Sequence, residues 1–233
     1  MSKLYLIPSP LGEGNPAEVI PPSTLNIMLG LKTFVVEEFR TARRYLSAAG
    51  LKGHIDELEF QLLNEHSSPA EVKALLGIFE KGDVGLISEA GLPAVADPGA
   101  ALVELCHDAG IEVVPLVGPS SLMLALMASG LNGQCFAFKG YLPAKTDDRK
   151  AAIRKMEKES ATLGQTQIFI ETPYRNDSLL NDMKDSLSGS TRLCIAADLT
   201  LETQTIKTAT VTEWRKMNFC IGKRPCVFLI LAQ

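Results

Sequence analysis

VGLISEAGLPAVADP, residues 84–98, is the stretch on which the fold of this chain turns. Its first four residues, Val84-Gly85-Leu86-Ile87, form an apolar run with the character of a buried strand. Ser88-Glu89-Ala90-Gly91-Leu92-Pro93 then breaks the run, and Asp97-Pro98-Gly99 precedes a helical pattern that begins at Ala100. A buried strand that opens into a Gly- and Pro-rich loop and then a helix is how α/β proteins set a ligand site at the carboxyl edge of a sheet. Gly91 adds a position where the backbone can turn freely and be approached closely. Gly118-Pro119-Ser120-Ser121, downstream, is a second strand exit of similar build.

Outward from that stretch the chain alternates short apolar runs with helical patterns. Upstream, strands are expected over 3–7, 33–37 and 55–62, and helices over 24–32, from 38 to just before Gly50, and over 70–81, with Ser23 and Ser68 as caps. Downstream, a helix over 100–109 and a strand over 111–115 complete a βαβ series, the signature of a parallel sheet covered on both faces. The following half reads as helix 122–129, strand 136–138, a charged helix 147–160, strand 167–171, helix 178–187, strand 191–198, a weak strand 204–210, helix 211–217 and a last strand 224–231. Its paired late strands suggest a mixed sheet. Two domains are expected, 1–116 and 117–233.

Composition bounds the function. With 233 residues, 46% apolar and 21% charged, the chain can bury a substantial core. No run of 18 uncharged apolar residues exists, so no membrane span is expected. The amino-terminal MSKLYLIPSP is only briefly basic and breaks at Pro8, which reads as a first strand and not as a signal peptide. The five cysteines (106, 135, 194, 220, 226) contain no CxxC pair and read as reduced, mostly buried thiols of a cytoplasmic protein. Zinc spacing is missing, and His54, His66 and His107 are too few for a metal centre. A net charge of -4 leaves room for a local basic patch.

The chemistry is narrowed by what the motifs lack. GxxxxGK[ST], GxGxxG and GxSxG are all missing, which disfavours nucleotide triphosphates, the common dinucleotide site and a nucleophile elbow. The polar or glycine-bearing strand exits at 8–14, 37–41, 64–66, 88–93, 117–121 and 171–175 remain. They suit group transfer from an activated donor, where positioning carries most of the work.

YLIPSPLG (5–12), EEFR (37–40), LISEAGLPAVADP (86–98), VVPLVGPSS (113–121), residues 126–131 and 138–143, and FIETPYR (169–175) resemble, in order, the successive motifs of the tetrapyrrole methylase superfamily. Within it the wording is most similar to the branch that methylates ribose 2'-hydroxyls of small-subunit ribosomal RNA. The resemblance spans nearly the whole chain. It implies two α/β domains, with a mostly parallel sheet in the first and a mixed sheet in the second, S-adenosylmethionine folded in a cleft between them, and a homodimer. Pro8, Glu89, Ala90, Gly91, Ser120 and Ser121 then correspond to cofactor-lining loops, with Leu142 and Ala197 as further members.

If the acceptor is a ribose hydroxyl, its proton needs a base, and Glu37, Glu38, Arg40, Asn64, Glu65 and Glu89 are the groups the pattern offers nearby. For RNA, Lys145, Arg149, Lys150, Arg154 and Lys158, with Lys139 and Lys155, form a basic set. Lys150, Arg154 and Lys158 fall at i, i+4 and i+8, with Tyr141 nearby as a stacking group. The chain departs from that branch at Glu13-Gly14-Asn15-Pro16 and at Glu38-Phe39, where Asn-Leu-Gly-Asp and Asp-Thr types are usual. A tetrapyrrole-like acceptor, whose carboxylates the same basic set could meet, and a cofactor-binding protein without catalysis are the other readings.

Overall fold

A computed structural model describes residues 2–232. The chain divides into two compact units, Met1–Ser120 and Ser121–Gln233.

In the first unit β1 (Lys3–Ile7), β2 (Thr33–Val36), β3 (Glu59–Leu62), β4 (Val84–Ile87) and β5 (Glu112–Pro115) form one sheet in the order β3-β2-β4-β1-β5. Every pairing in it is parallel. Helices α1 (Pro22–Gly30), α2 (Phe39–Leu46), α3 (Pro69–Ala74) and α4 (Gly99–Asp108) connect the strands. Successive side chains point to opposite faces, and both faces are covered. Leu4, Val35, Val84 and Leu86 pack with Val72, Leu102 and Cys106 of α3 and α4. Ile7, Phe34, Val36 and Ile87 pack instead with Met28, Ala42 and Leu46 of α1 and α2.

Gly85 explains itself in this frame. A Cβ there would lie 2.6 Å from Ile7 Cδ1 and 2.9 Å from Phe34 Cδ1, so the glycine is the gap into which both neighbouring strands close. The register then sets the functional edge. Ile7 and Val36 both lie level with Ile87, and Leu62 with Val36, so four strands end together and their exit loops leave from one rim.

The second unit holds α5 (Ser121–Ser129), β6 (Phe136–Tyr141), α6 (Thr146–Leu163), β7 (Thr166–Ile170), α7 (Asn176–Ser186), β8 (Arg192–Ala197), β9 (Thr205–Thr210), α8 (Val211–Lys216) and β10 (Cys226–Leu231). Its sheet runs β6-β7-β10-β8-β9, with β6 parallel to β7 and the other pairs antiparallel. The expected mixed sheet is therefore present. Trp214 anchors its core, fully buried, with Nε1 donating to Leu193 O at 2.8 Å.

Several boundaries differ from the sequence reading for local reasons. Pro22 takes the first turn of α1, where its missing N–H costs nothing, so Ser23 lies inside the helix and does not cap it. The strand expected over 55–62 begins only at Glu59, because Ile55–Glu57 is a 3-10 turn. Ser68 and Glu71 form a reciprocal capping box, but the helix tightens to 3-10 from Leu75 to Lys81. β6 runs on to Tyr141 through a bulge between Phe138 and Tyr141, with Gly140 at φ 67°. α6 extends to Leu163 and stops at Gly164, left-handed at φ 60°.

Candidate active site

Two loops at the rim of the first sheet are pinned to one another. Ser9 N donates to Gly91 O at 2.8 Å and Gly91 N to Ser9 O at 3.0 Å, an antiparallel bridge between the exits of β1 and β4. Ser9 Oγ adds a bond to Ser88 O at 2.7 Å. Gly91 stands at φ 76°, a conformation that side-chain-bearing residues adopt only at a cost. Ala94 and Ala96 follow at φ 64° and 62°, and Asp97 Oδ1 holds this turn by accepting from Ala94 N and Gly99 N, each at 2.8 Å. Residues outside glycine at such angles persist only where the surroundings fix them, as they do at ligand-holding loops. Gly118 lets the exit of β5 close on Pro8, since a Cβ there would fall 2.2 Å from Pro8 Cβ.

Between these loops and α2 lies a cavity of about 460 Å³, within the roughly 300–1,000 Å³ usual for small-molecule sites. Ser9, Glu13, Thr41, Tyr45, Ser88 and Glu89 are among its lining residues. Thr41, Tyr45 and Ala48 all line it, at helical spacing along α2 and its continuation. Tyr45 Oη donates to Pro8 O at 2.8 Å, and burial pushes its phenol well above the usual range, so it serves as a neutral donor. Arg44 Nη2 meets Glu13 Oε1 at 3.2 Å, tying the divergent loop at Glu13-Gly14 to α2.

Carboxylates converge beside the cavity. Thr41 Oγ1 donates to Glu89 Oε1 at 2.5 Å, and Glu89 N to Glu37 Oε1 at 3.2 Å. Burial, with the charges of Asp97 and Glu89 adding to it, raises the Glu37 carboxyl above its ordinary value despite that backbone donor. Glu38 is the N-cap of α2, its Oε2 accepting from Thr41 N at 2.8 Å, and the backbone donors of Arg40 and Thr41 hold its carboxyl low. Two buried polar atoms of these loops, Ser88 Oγ and Asp97 Oδ2, have no protein partner.

The structure thus gathers Pro8, Glu37, Glu89, Ala90 and Gly91 around one rim. Arg40 is exposed on α2. Asn64 and Glu65 leave β3 outside the cavity lining. Asn64 Oδ1 accepts from His66 N at 3.0 Å, the bond of a turn residue. Ser120 ends the first unit and Ser121 opens α5 of the second. Leu142 and Ala197 belong to the apolar core of the second unit. Ser9 and Thr41 fall within the strand exits read from the sequence and Asp97 within the 84–98 stretch, without being singled out as site residues. Tyr45 and Ala48 lie outside those exits, and their i+4 and i+7 spacing from Thr41 was the available signal.

The basic set divides. Arg149 is 3% exposed and points into the second unit: Nε donates to Asp182 Oδ2 at 2.7 Å and Nη1 to Ala144 O at 2.7 Å. It is therefore removed from the RNA-facing residues, since a guanidinium so enclosed cannot reach a phosphate. Lys150 is engaged by Asp185 at 3.0 Å and Asp182 at 3.5 Å, and Lys139 by Glu159 at 2.8 Å. Lys145, Arg154, Lys155 and Lys158 are exposed. Tyr141 is 57% exposed.

Gly91→Val tests the pinned loop. A Cβ at Gly91 would meet Leu11 Cδ2 at 3.4 Å, an ordinary contact, so the effect comes from φ 76°, which a β-branched residue strongly disfavours. The bridge to Ser9 should loosen, and affinity for S-adenosylhomocysteine should fall about tenfold, corresponding to ~1.4 kcal/mol, by calorimetry. Unchanged affinity would dissociate this loop from the cofactor.

The comparisons agree with this architecture. The family model for tetrapyrrole (corrin/porphyrin) methylases matches residues 40–214. The ribosomal RNA small subunit methyltransferase I of Vibrio cholerae serotype O1 is 33% identical over 205 residues, 88% of this chain and 67% of that protein. The protein of the same name from Escherichia coli O157:H7 is 34% identical over 212 residues, 91% and 70% of the two chains. In Pseudomonas aeruginosa the corresponding figures are 31% over 231 residues, 97% and 78%. Among solved structures, the methyltransferase CobJ matches with a TM-score of 0.66 at 13% identity, covering 100% of this chain and 95% of that one. A uroporphyrin-III C-methyltransferase from Thermus thermophilus, complexed with S-adenosylhomocysteine, matches at 0.59 and 15% identity, covering 99% and 97%. At such identity these two speak for the fold alone. The match across residues 40–214, together with relatives at 31–34% identity over most of the chain, shows that this protein is a methyltransferase of the tetrapyrrole (corrin/porphyrin) methylase family.

Proposed function

We propose that this protein transfers the methyl group of S-adenosylmethionine to a ribose 2'-hydroxyl of small-subunit ribosomal RNA. The observation that carries the reading is the rim cavity bounded by the Ser9–Gly91 bridge, in a chain whose curated relatives are named ribosomal RNA small subunit methyltransferase I. The chain's own residues fit the cofactor: the cavity lining includes Ser88, whose buried Oγ lacks a partner, and Ser9, which the left-handed Gly91 pins in place. When bound, S-adenosylmethionine supplies an activated methyl group on a positively charged sulfur.

What the protein contributes is position and charge. The bridge fixes the exits of β1 and β4 against each other, so the cavity wall is formed before any ligand arrives. Tyr45 holds the Pro8 carbonyl, and Thr41 holds Glu89, both from the same face of α2. Glu37 is the group proposed to collect the hydroxyl proton. Its carboxyl is half-buried and adjacent to Glu89, and burial raises it above the ordinary glutamate value, in the direction that strengthens a base. The cytoplasm and a homodimer are the expected setting. Among the described residues no helix is long and apolar enough to cross a membrane.

Arg154 and Lys158 are the exposed members of the α6 stripe, and they are proposed to contact phosphates. Neutralising both should weaken RNA association and lower the slope of log affinity against log salt by about one per lost contact, with cofactor affinity preserved. An unchanged slope would remove α6 from the interface.

The function itself is tested by transfer of tritium from labelled S-adenosylmethionine to small subunits from a strain lacking the gene, with free RNA and porphyrinogens alongside. Label in a ribose of the small-subunit RNA is expected. Label only in porphyrinogen would shift the reading to a tetrapyrrole acceptor, and cofactor binding without transfer to any acceptor would make this a binding protein.

A further inference from the structure

The second unit carries an exposed aromatic ring on a turn held by buried polar bonds. Tyr174 lies in the 3-10 turn Pro173–Arg175 that leaves β7, and it is 80% exposed. The Nζ of Lys223 stands 5.0 Å from the ring centroid, over one face. Among the described residues no carboxylate forms an ion pair with that ammonium.

Both partners are fixed from beneath. The buried Glu171 accepts through Oε1 from Thr172 N at 2.7 Å, Arg175 Nε at 3.0 Å and Arg175 Nη2 at 2.5 Å, which locks the turn bearing Tyr174. Asn176, fully buried at the start of α7, donates through Nδ2 to Gly222 O at 3.1 Å and Arg224 O at 2.8 Å, the two residues flanking Lys223. Asp177 accepts from Ile221 N at 2.7 Å and Gly222 N at 3.1 Å. The turn and the loop are therefore stapled together, and what this network holds at the surface is a flat ring with a cation beside it.

A ring so exposed contributes little to packing, yet the turn that carries it is fixed by buried polar groups. That arrangement suits stacking of a nucleobase: any base offers a π-face, a tyrosine loses little entropy on binding, and an ammonium close by can meet the phosphate. We propose that Tyr174 and Lys223 form a stacking site for one unpaired nucleotide of the acceptor RNA. The site rests on the RNA reading above and extends it to a contact distinct from the α6 stripe.

The test uses the full chain with a short fluorescein-labelled single-stranded RNA, read by anisotropy, and with small subunits in the tritium assay. Base–aromatic stacking is worth about 1–3 kcal/mol, so Tyr174→Ala should weaken RNA binding by roughly 5- to 150-fold. Tyr174→Phe, which keeps the ring, should stay within about twofold, and Lys223→Ala should lower the salt slope by about one. S-adenosylhomocysteine affinity should be unchanged in all three, which also reports an intact fold. If Tyr174→Ala binds RNA as tightly as the parent while the parent labels small subunits, the stacking site is refuted and the functional reading stands. If the parent neither binds nor labels RNA, both fall. Loss of RNA binding together with dissociation of an oligomer on a sizing column would assign the ring to a protein interface and overturn the proposal.

Discussion

Arg149→Ala is expected to destabilise the protein by about 3–5 kcal/mol, the usual cost of removing one member of a buried ion pair. The guanidinium and its partner Asp182 are both enclosed, with side chains 3% and 9% exposed and Nη2 2.6 Å from Asp182 Oδ2. Truncation leaves the Asp182 carboxylate with Lys150 alone at 3.5 Å and frees the Ala144 carbonyl. Replacing the pair by apolar residues of similar volume, Arg149→Met with Asp182→Leu, should recover most of the loss, because neither charge is then left buried alone. Arg154→Ala, on the exposed side of the same helix, should stay within about 0.5 kcal/mol. Urea unfolding of the three variants checks this. A stable Arg149→Ala that had lost RNA affinity would return Arg149 to the nucleic-acid interface.

Glu37→Gln is expected to lower the rate of methyl transfer by about 10²-fold or more while leaving cofactor affinity within about twofold, as removal of a general base does. The pH dependence supplies the second signature. The base works only when ionised, and burial raises its carboxyl, so parental activity should fall on acidification with a midpoint above the ordinary glutamate value. The glutamine variant should be slow and flat across that range. Stability should move the other way. A carboxyl whose folded pKa exceeds its unfolded value favours folding below the unfolded pKa, and that contribution is lost as pH rises through the folded pKa. Once ionised, Glu37 is a burden on the fold, so above its folded pKa Glu37→Gln should melt no lower than the parent. Full activity in Glu37→Gln would exclude this residue as the base.

The central strands β2 and β4 of the first unit were the most readable because they are buried on both faces, so each appears as a short apolar run between breakers. Gly85, within such a run, is the packing gap for Ile7 and Phe34. The loop motifs located the rim of the cavity. They did not reveal its helical wall, because Thr41 and Tyr45 act through bonds to residues distant in sequence, Glu89 and Pro8.

Arg149 shows how a charged helix misleads. Counting basic residues groups it with Lys150 and Arg154. Its spacing instead places it on the stripe of Ile153, Met156 and Ser160, all buried. Asp182 lies likewise among the buried residues of α7, with Leu179 and Met183. The two inward stripes carry opposite charges that match only when α6 and α7 are brought together, a fact invisible in either segment alone. Leu142 and Ala197 illustrate the reverse limit, since apolar residues at a strand end fit a ligand wall and a core equally well.

The most direct test is a crystal structure of the protein with S-adenosylhomocysteine. The ligand is expected against the Ser9–Gly91 bridge, within hydrogen-bonding distance of Ser88 Oγ or the backbone of residues 89–91. Density for it elsewhere, with that rim unchanged and empty, would contradict the account.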